Sequence, residues 1–487
     1  MIENRKQYQS NLTGKNLILL GIGLAAGAGA ALTVWQAMRA TKTRRLNQKL
    51  SSGQKILILG AGFGGRYAAE ELSKLLPHNE QVEIKLVDAN DFLLFTPMLT
   101  EAAGGELDTH HITSPIHHLP LRIAFEQGLV EQIDLQAKRV TLKTQKDNIP
   151  KAEKTLDADH LVIALGSVSN FYGIPGLEEY SLTMKSLTDA AAVHDRVTKS
   201  IERAGKETDD KARRELLTVI IGGGGYTGVE TMAAVNDLMR DAAKNYEQIK
   251  SNDIRTMIID PADRLLTELT PDLAAYAQQK LEERGVEVRL KTKIVGAGAG
   301  YVEIEGGERI QAQTFVWAGG VKPTPVVGAL PCKHGKHGGI SVAATFAVPD
   351  FPGVWAIGDC AEIPQADGKG TYAPTAQNAT REGIHVARNI YAAITGEQPQ
   401  PFIYTPIGEL ALVGKRVGVA RVYGFNFSGL LAWAMWRAIY LVKMPDLKQR
   451  VRILLDWFLD FALGRPIAVL TAGSNNVQRA IAATVQS

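Results

Sequence analysis

Cysteine is almost missing: Cys332 and Cys360 are the only two in 487 residues. That excludes a disulfide-stapled secreted scaffold and any all-thiolate zinc or iron–sulfur centre. A dominant charge is missing as well. The 54 Lys and Arg nearly cancel 51 Asp and Glu, leaving +3, too little for a dedicated nucleic-acid binder. Neither a helical HExxH pair nor a finger pattern occurs. His110, His111, His117 and His118, and likewise His334 and His337, therefore read as surface or interface residues, and no metal is expected. Low complexity is absent too, since 45% hydrophobic and 22% charged residues fit folded domains. At roughly 100–200 residues per domain, the length predicts two to four. The charge run Arg196 to Arg214 has helical spacing and reads as a solvated helix without chemistry. Glycine is what the chain has in excess, 47 residues gathered in clusters.

One long uncharged run stands near the start, Leu17 to Met38 (LILLGIGLAAGAGAALTVWQAM). At ~1.5 Å per residue it reaches about 33 Å, enough for a hydrocarbon core of roughly 30 Å. Its glycine density disfavours an isolated helix in water, and it outruns the apolar part of a signal peptide. A single-pass membrane anchor fits best. Arg39, Lys42, Arg44, Arg45 and Lys49 follow it, so the positive-inside rule puts the main body on the cytoplasmic or equivalent side. Two further apolar runs lie near the other end, Gly429 to Val442 and Val451 to Leu463. Each is too short to span a bilayer. Trp and Tyr beside Lys443, Lys448, Arg450 and Arg452 suit helices lying at a lipid boundary, with core packing or a dimer interface as the competing reading.

The glycine clusters carry the chemistry. A buried-strand pattern, Lys55 to Leu59, runs into Gly60-Ala61-Gly62-Phe63-Gly64-Gly65 and then an alanine-rich helix, Arg66 to Leu76. Gly60, Gly62 and Gly65 satisfy G-x-G-x-x-G. The first permits a tight turn, the second lets backbone approach a pyrophosphate, and the third lets helix pack on strand. The next strand, Val82 to Val87, ends in Asp88, where an acid takes adenosine ribose hydroxyls. The pattern recurs. A strand from Leu217 to Ile221 precedes Gly222-Gly223-Gly224-Gly225-Tyr226-Thr227-Gly228-Val229-Glu230. Gly223, Gly225 and Gly228 make the second fingerprint, although four consecutive glycines leave its register open by one. The strand Arg255 to Ile259 ends in Asp260, an acid that repels a 2′-phosphate and favours NADH over NADPH. Two dinucleotide folds imply two dinucleotides, a flavin nucleotide held permanently and a nicotinamide nucleotide exchanging.

With these features in place, the chain resembles the two-dinucleotide-binding flavoproteins. Within them it is most similar to type II NADH dehydrogenases, the single-subunit, non-pumping NADH:quinone oxidoreductases. The likeness covers roughly Lys55 to Leu470. Gly222 to Glu230 looks like the family run GGGPTGVE, with Tyr226 in place of proline. Asp91 to Gly104 (DFLLFTPMLTEAAG), with Pro97, resembles the segment passing the isoalloxazine. Leu161 to Ser167 (LVIALGS), with Ala164 and Gly166, resembles the first crossing between domains, and Phe315 to Val321 (FVWAGGV), with Gly320, the return. Val354 to Cys360 (VWAIGDC) looks like the second FAD motif, with Gly358 and Asp359. Pro374 to Gly383 (PTAQNATREG) resembles the quinone-side segment, where the resemblance puts Ala376 and Gln377 near both the flavin pyrimidine ring and the quinone headgroup, with Thr380 and Arg381 on the quinone side, the last where glutamine is usual.

The resemblance implies an α/β architecture of two Rossmann-like domains. The FAD domain would be split into 55–167 and 335–399 around an NADH domain at 168–334, with the N-terminal segment 1–54 before and a membrane-associating helical region, 400–487, after. It implies FAD and NADH as cofactors, a membrane quinone as acceptor and a homodimer. Hydride would pass from NADH to flavin and two electrons on to the quinone, with Glu230 near the nicotinamide and Gln377 near the quinone. Capping its own helix is the plainer role for Glu230, and buried hydrogen bonding the plainer one for Gln377. A sulfide:quinone oxidoreductase would need reactive cysteines beside the flavin, and Cys332 and Cys360 are poorly placed for that. A flavin-dependent NADH sensor, or a reductase of another acceptor, is the alternative.

Overall fold

The computed structural model describes residues 53–76, 82–143 and 153–464. The anchor expected over Leu17 to Met38 lies outside them. Among the described residues no helix is long and apolar enough to cross a membrane.

Two parallel sheets organise the chain. Val, Ile and Leu fill their strands on both faces, as helix-covered parallel strands require. The first sheet runs Val354–Ala356, His160–Ile163, Gln54–Leu59, Val82–Asp88, Ile123–Gln127. It therefore takes strands from both sides of the second sheet in sequence. That second sheet runs Val286–Arg289, Arg255–Ile259, Thr218–Gly222, Thr314–Trp317. Each carries an antiparallel three-stranded meander just before the strand that pairs beside its glycine-turn strand, at Leu129–Asp157 in one and Ile294–Gln311 in the other. The two folds are thus the same arrangement written twice. Two short crossing strands, Ser167–Ser169 and Val321–Pro323, pair antiparallel and join them.

The first glycine-turn helix is Phe63–Leu75, starting three residues earlier than its alanine-rich stretch suggests. The helix Ala376–Thr395 lies against it. A Cβ on Gly383 would come within 2.2 Å of the Gly64 carbonyl oxygen, so the two backbones touch. The charge run Arg196 to Arg214 is not one solvated helix. It belongs to two, Leu187–Ala204 and Asp210–Leu216, and Arg213 turns inward to Asp253 at 3.3 Å.

After the first sheet's last helix comes a three-stranded antiparallel sheet, Gly408–Gly414, Val417–Val422 and Phe425–Ser428. The helices Gly429–Lys443 and Leu447–Leu463 follow. Their inner residues Trp436, Met444, Ile453 and Trp457 join the hydrophobic core of the second fold, while the first fold keeps a core of its own. The last helix buries Gln449, Ile453 and Trp457 and turns Leu454, Phe458 and Phe461 outward. An apolar outer face on a surface helix inverts the usual pattern.

Candidate functional site

The two glycine turns superpose in chemical detail, which fixes the second register. Gly60 and Gly223 both hold positive φ, +99° and +119°, and donate their N–H to Val87 and Ile259. A Cβ on Gly60 would lie 2.2 Å from the Ala164 carbonyl oxygen. On Gly223 it would lie 2.5 Å from that of Ala318. A Cβ on Gly65 or Gly228 would strike the Gly60 or Gly223 carbonyl oxygen at 1.8 or 1.9 Å. Gly62 and Gly225 differ from these: a Cβ there would meet nothing within 4 Å. Those two open positions are the N-caps of Phe63–Leu75 and Tyr226–Ala243, and neither helix has a side-chain cap or an acid in its first turn. The first N–H groups of both helices thus face open space with the positive end of the helix dipole behind them, which fits a pyrophosphate at each.

Each turn is closed by its acid. Asp88 accepts from the Ala61 N–H at 2.7 Å and from the Asn90 N–H at 2.8 Å. Burial raises its pKa, and these backbone N–H groups oppose the rise. Asp260 stands equivalently, accepting from the N–H of Gly224 at 2.5 Å and of Ala262 at 2.7 Å. Both acids sit at the end of the second strand, where ribose hydroxyls would reach them.

Asp359 follows Gly358, whose φ is +70°. It accepts from Ser167 Oγ–H at 2.7 Å, and Lys185 Nζ donates to that same oxygen of Ser167 at 3.0 Å. Burial lowers the Lys185 pKa, against the pull of Asp359 and Asp189. Glu382, 2% exposed, accepts from the Gly358 N–H at 2.7 Å, and burial pushes its carboxyl up to about 7. Sequence reading missed Lys185 and Glu382. Glu382 could have been found, because Asn378, Glu382 and Val386 share the buried stripe of their helix while Arg381 points outward. Lys185 had no such signal; only the fold brings it to Ser167.

Beside these groups runs an aromatic wall. Phe63 packs on Phe95, Phe95 on Tyr440 and Tyr440 on Trp436, with ring centroids 5.7, 6.2 and 4.6 Å apart. Pro97 lies just past Phe95 in a single 3₁₀ turn, Thr96–Met98. Ala376 and Gln377 open the helix Ala376–Thr395, and Gln377 Oε1 faces Lys443 Nζ at 3.5 Å. Gln377 is half-buried and meets a side chain from the C-terminal helices, so it is not enclosed core. Thr380 spends its hydroxyl on the Ala376 carbonyl (2.8 Å), whereas Arg381 leans over Tyr404. Gly166 and Gly320 hold positive φ, +67° and +143°, beside the two crossing strands.

Glu230 does not cap the helix it opens. It accepts from the Leu412 N–H at 2.9 Å and from Trp436 Nε1–H at 3.1 Å, tying the second fold to the C-terminal sheet and helices. Its remaining surface faces a cavity of about 420 Å³ shared with Glu101 and Arg437. Burial pushes its carboxyl up to about 8. The histidines of the 110–118 stretch also meet the C-terminal helices. His111 reaches Asp456 at 2.6 Å and His118 reaches Asp446 at 2.5 Å. Gln449 adds a bond to the Thr113 carbonyl at 2.7 Å. Cys360 is buried, and burial pushes its thiol up to about 12; Cys332 is half-buried, with a thiol raised for the same reason. Neither is a poised nucleophile.

The sequence pattern of the pyridine nucleotide-disulphide oxidoreductase family matches residues 54–383, and that of the NDH2 C-terminal domain matches residues 407–466. A probable NADH dehydrogenase of Dictyostelium discoideum is 27% identical over 460 residues, covering 93% of this chain and 99% of its own. The type II NADH:quinone oxidoreductase Ndh of Mycobacterium tuberculosis is 27% identical over 422 residues, 84% of this chain and 88% of its own. Among solved structures, NDH2 from Plasmodium falciparum in complex with NADH is similar with a TM-score of 0.78 and 19% identity, over 85% of this chain and 99% of that one. The sulfide:quinone oxidoreductase of Aquifex aeolicus shares the fold with a TM-score of 0.65 and 18% identity, over 85% and 96%. The first family pattern covers about two thirds of the chain, in one unbroken match holding both glycine turns, so this protein belongs to the pyridine nucleotide-disulphide oxidoreductase family, and its relatives there are type II NADH dehydrogenases.

Proposed function

We propose that the protein is a type II NADH:quinone oxidoreductase that uses FAD and NADH, passes electrons to a membrane quinone and pumps no protons. The observation that carries this reading is the pair of uncapped, open glycine turns at Gly62 and Gly225, each closed by an acid. Bound FAD supplies the two-electron chemistry that no ordinary side chain has. The chain's own part is placement. Gly60, Gly62, Phe63, Gly64, Gly65 and Asp88 hold FAD by its adenosine and pyrophosphate, and Gly358 and Asp359 by the rest of its chain. Pro97, Ala164, Gly166 and Gly320 border the space for its ring. Gly223, Gly225, Gly228 and Asp260 hold NADH. Lys185 fixes Ser167 and Asp359. Ala376, Gln377, Thr380 and Arg381 form the quinone side, with Lys443 added across from Gln377.

The site at the lipid boundary follows from the outer face of the last two helices. Leu447, Phe461 and Leu463 are 71%, 72% and 81% exposed, and Lys448, Arg450 and Arg452 lie on the same helix. We assign this face to the bilayer surface, where a lipid-soluble quinone enters. The Leu17 to Met38 anchor would hold the body to the same membrane, on its cytoplasmic or equivalent side. A sensor role gains no specific support from this geometry.

Anaerobic stopped-flow absorbance on the full chain tests the reading. NADH should bleach the flavin quickly and NADPH slowly, and a short-chain quinone should restore the colour. Asp260→Asn should narrow the NADH-to-NADPH ratio of kcat/KM about tenfold, or ~1.4 kcal/mol. Bleaching by NADH with no recovery on any quinone would overturn quinone reduction and leave the sensor or another acceptor.

A further inference from the structure

One side chain beside the second glycine turn holds a backbone conformation that tyrosine seldom adopts. Phe171 to Ile174 form a tight turn, closed by the Ile174 N–H donating to the Phe171 carbonyl at 3.0 Å. Both central residues have positive φ, +52° at Tyr172 and +69° at Gly173. Gly, Asn and Asp dominate such mirror-image turns, and a bulky side chain there is an outlier. Burial does not offset the strain, because Tyr172 is 61% exposed. Its hydroxyl reaches the Gly319 carbonyl only at 3.4 Å, and its ring meets Trp317 edge-on with centroids 6.5 Å apart. The turn itself is stitched down. The Asn170 N–H donates to the Gly320 carbonyl at 3.0 Å, and Trp317 Nε1–H to the Asn170 carbonyl at 2.8 Å. A Cβ on Gly320 would lie 2.4 Å from the Tyr172 hydroxyl oxygen, so glycine there makes room for the phenol.

Strand order decides what passes beneath that ring. The order Val286–Arg289, Arg255–Ile259, Thr218–Gly222, Thr314–Trp317 puts Asp260 on one side of the glycine-turn strand and Ala318 to Gly320 on the other. A dinucleotide with its pyrophosphate at Gly225 and its adenosine ribose on Asp260 must send its other half the opposite way. That way lies over Ala318, Gly319 and Gly320. Their backbone closes on the turn, since a Cβ on Gly223 would be 2.5 Å from the Ala318 carbonyl oxygen and 2.9 Å from the Gly319 nitrogen. We propose that Tyr172 is a binding residue for the nicotinamide half of NADH, its ring forming the outer wall of that path; this rests on the NADH reading of the second turn. An aromatic wall suits a flat nicotinamide ring. Backbone strain spent on holding a phenol in water is the kind that gathers at ligand clamps.

Binding of NADH and of ADP-ribose, which lacks the nicotinamide ring, separates this role from a structural one. Both are titrated anaerobically into the full-length, FAD-loaded protein after reduction by dithionite, so that no hydride moves. NADH is followed by its fluorescence and ADP-ribose by competition. Tyr172→Gly keeps the turn, because glycine accepts positive φ, and removes the ring. It should weaken NADH about tenfold and leave ADP-ribose within about twofold, while Tyr172→Phe keeps both near the parent values. Equal weakening of the two ligands would make Tyr172 a prop for the fold and overturn the proposal. So would an unchanged NADH affinity in Tyr172→Gly. A parent protein that binds neither ligand would overturn the NADH reading of the second turn itself, and this role with it.

Discussion

A methyl group added at Gly228 and one added at Gly225 would meet different fates. At Gly228 it collides with the Gly223 carbonyl oxygen, so Gly228→Ala should cost about 1–3 kcal/mol of stability, seen as a lower midpoint in urea. At Gly225 it enters open space. Gly225→Ala should keep stability within about 0.5 kcal/mol yet raise the KM for NADH tenfold or more, because the methyl occupies the phosphate path. Acid–base behaviour offers a second test at this scale. The Glu230 carboxyl is pushed up to about 8 from an ordinary 4.5. Between those values the folded state keeps a proton that the unfolded chain has lost, so stability falls as pH rises through that window. Glu230→Gln removes this share. Its Tm relative to the parent should climb from about pH 5 to pH 8, and a constant difference would refute the buried-acid account.

Among the elements, the last two helices carry the proposed lipid contact. Their outer faces hold apolar side chains that stay in water unless lipid or another surface covers them. Changing Leu454, Phe458 and Phe461 to Ser together removes about 1.5–3 kcal/mol of potential burial per side chain. The triple variant should lose at least a hundredfold in liposome partitioning, measured by flotation, with FAD content unchanged. The sequence made these helices legible because Trp, Tyr, Lys and Arg alternate with apolar runs over a helical length. The glycine turns were legible for a firmer reason: steric demands at Gly60, Gly65 and their counterparts admit no other residue, so sequence must record them. The second register stayed ambiguous among four glycines until Gly223 proved to carry the positive φ. Lys185 and Lys443 left no local trace, since each acts on partners that only folding brings near. The histidines show the same limit. Their spacing spoke against metal, but nothing in it pointed to Asp446 and Asp456, hundreds of residues away.

For the molecule as a whole, the sheet strands of the two nucleotide folds lie in separate cores, with the stretch Phe95 to Ile112 of the first fold and the C-terminal unit both built into the second. Loss of one dinucleotide should therefore spare the other. Gly62→Ala should yield protein poor in FAD that still binds NADH by fluorescence titration, and Gly225→Ala the reverse; loss of both ligands in either variant would show the folds to be one cooperative unit. The contact of Gly383 with the Gly64 carbonyl bears on the molecule's history as well as its chemistry. A helix fastened to its neighbour by bare backbone has no slack, so the distance between the FAD turn and the start of the Gln377 helix cannot drift as side chains change. If the proposed quinone side is right, adaptation to a different membrane acceptor is confined to the rim, where Thr380, Arg381 and Lys443 can be exchanged without moving the frame. Arg381, exposed on the outer side of that helix, is a position such a fixed frame would let change first.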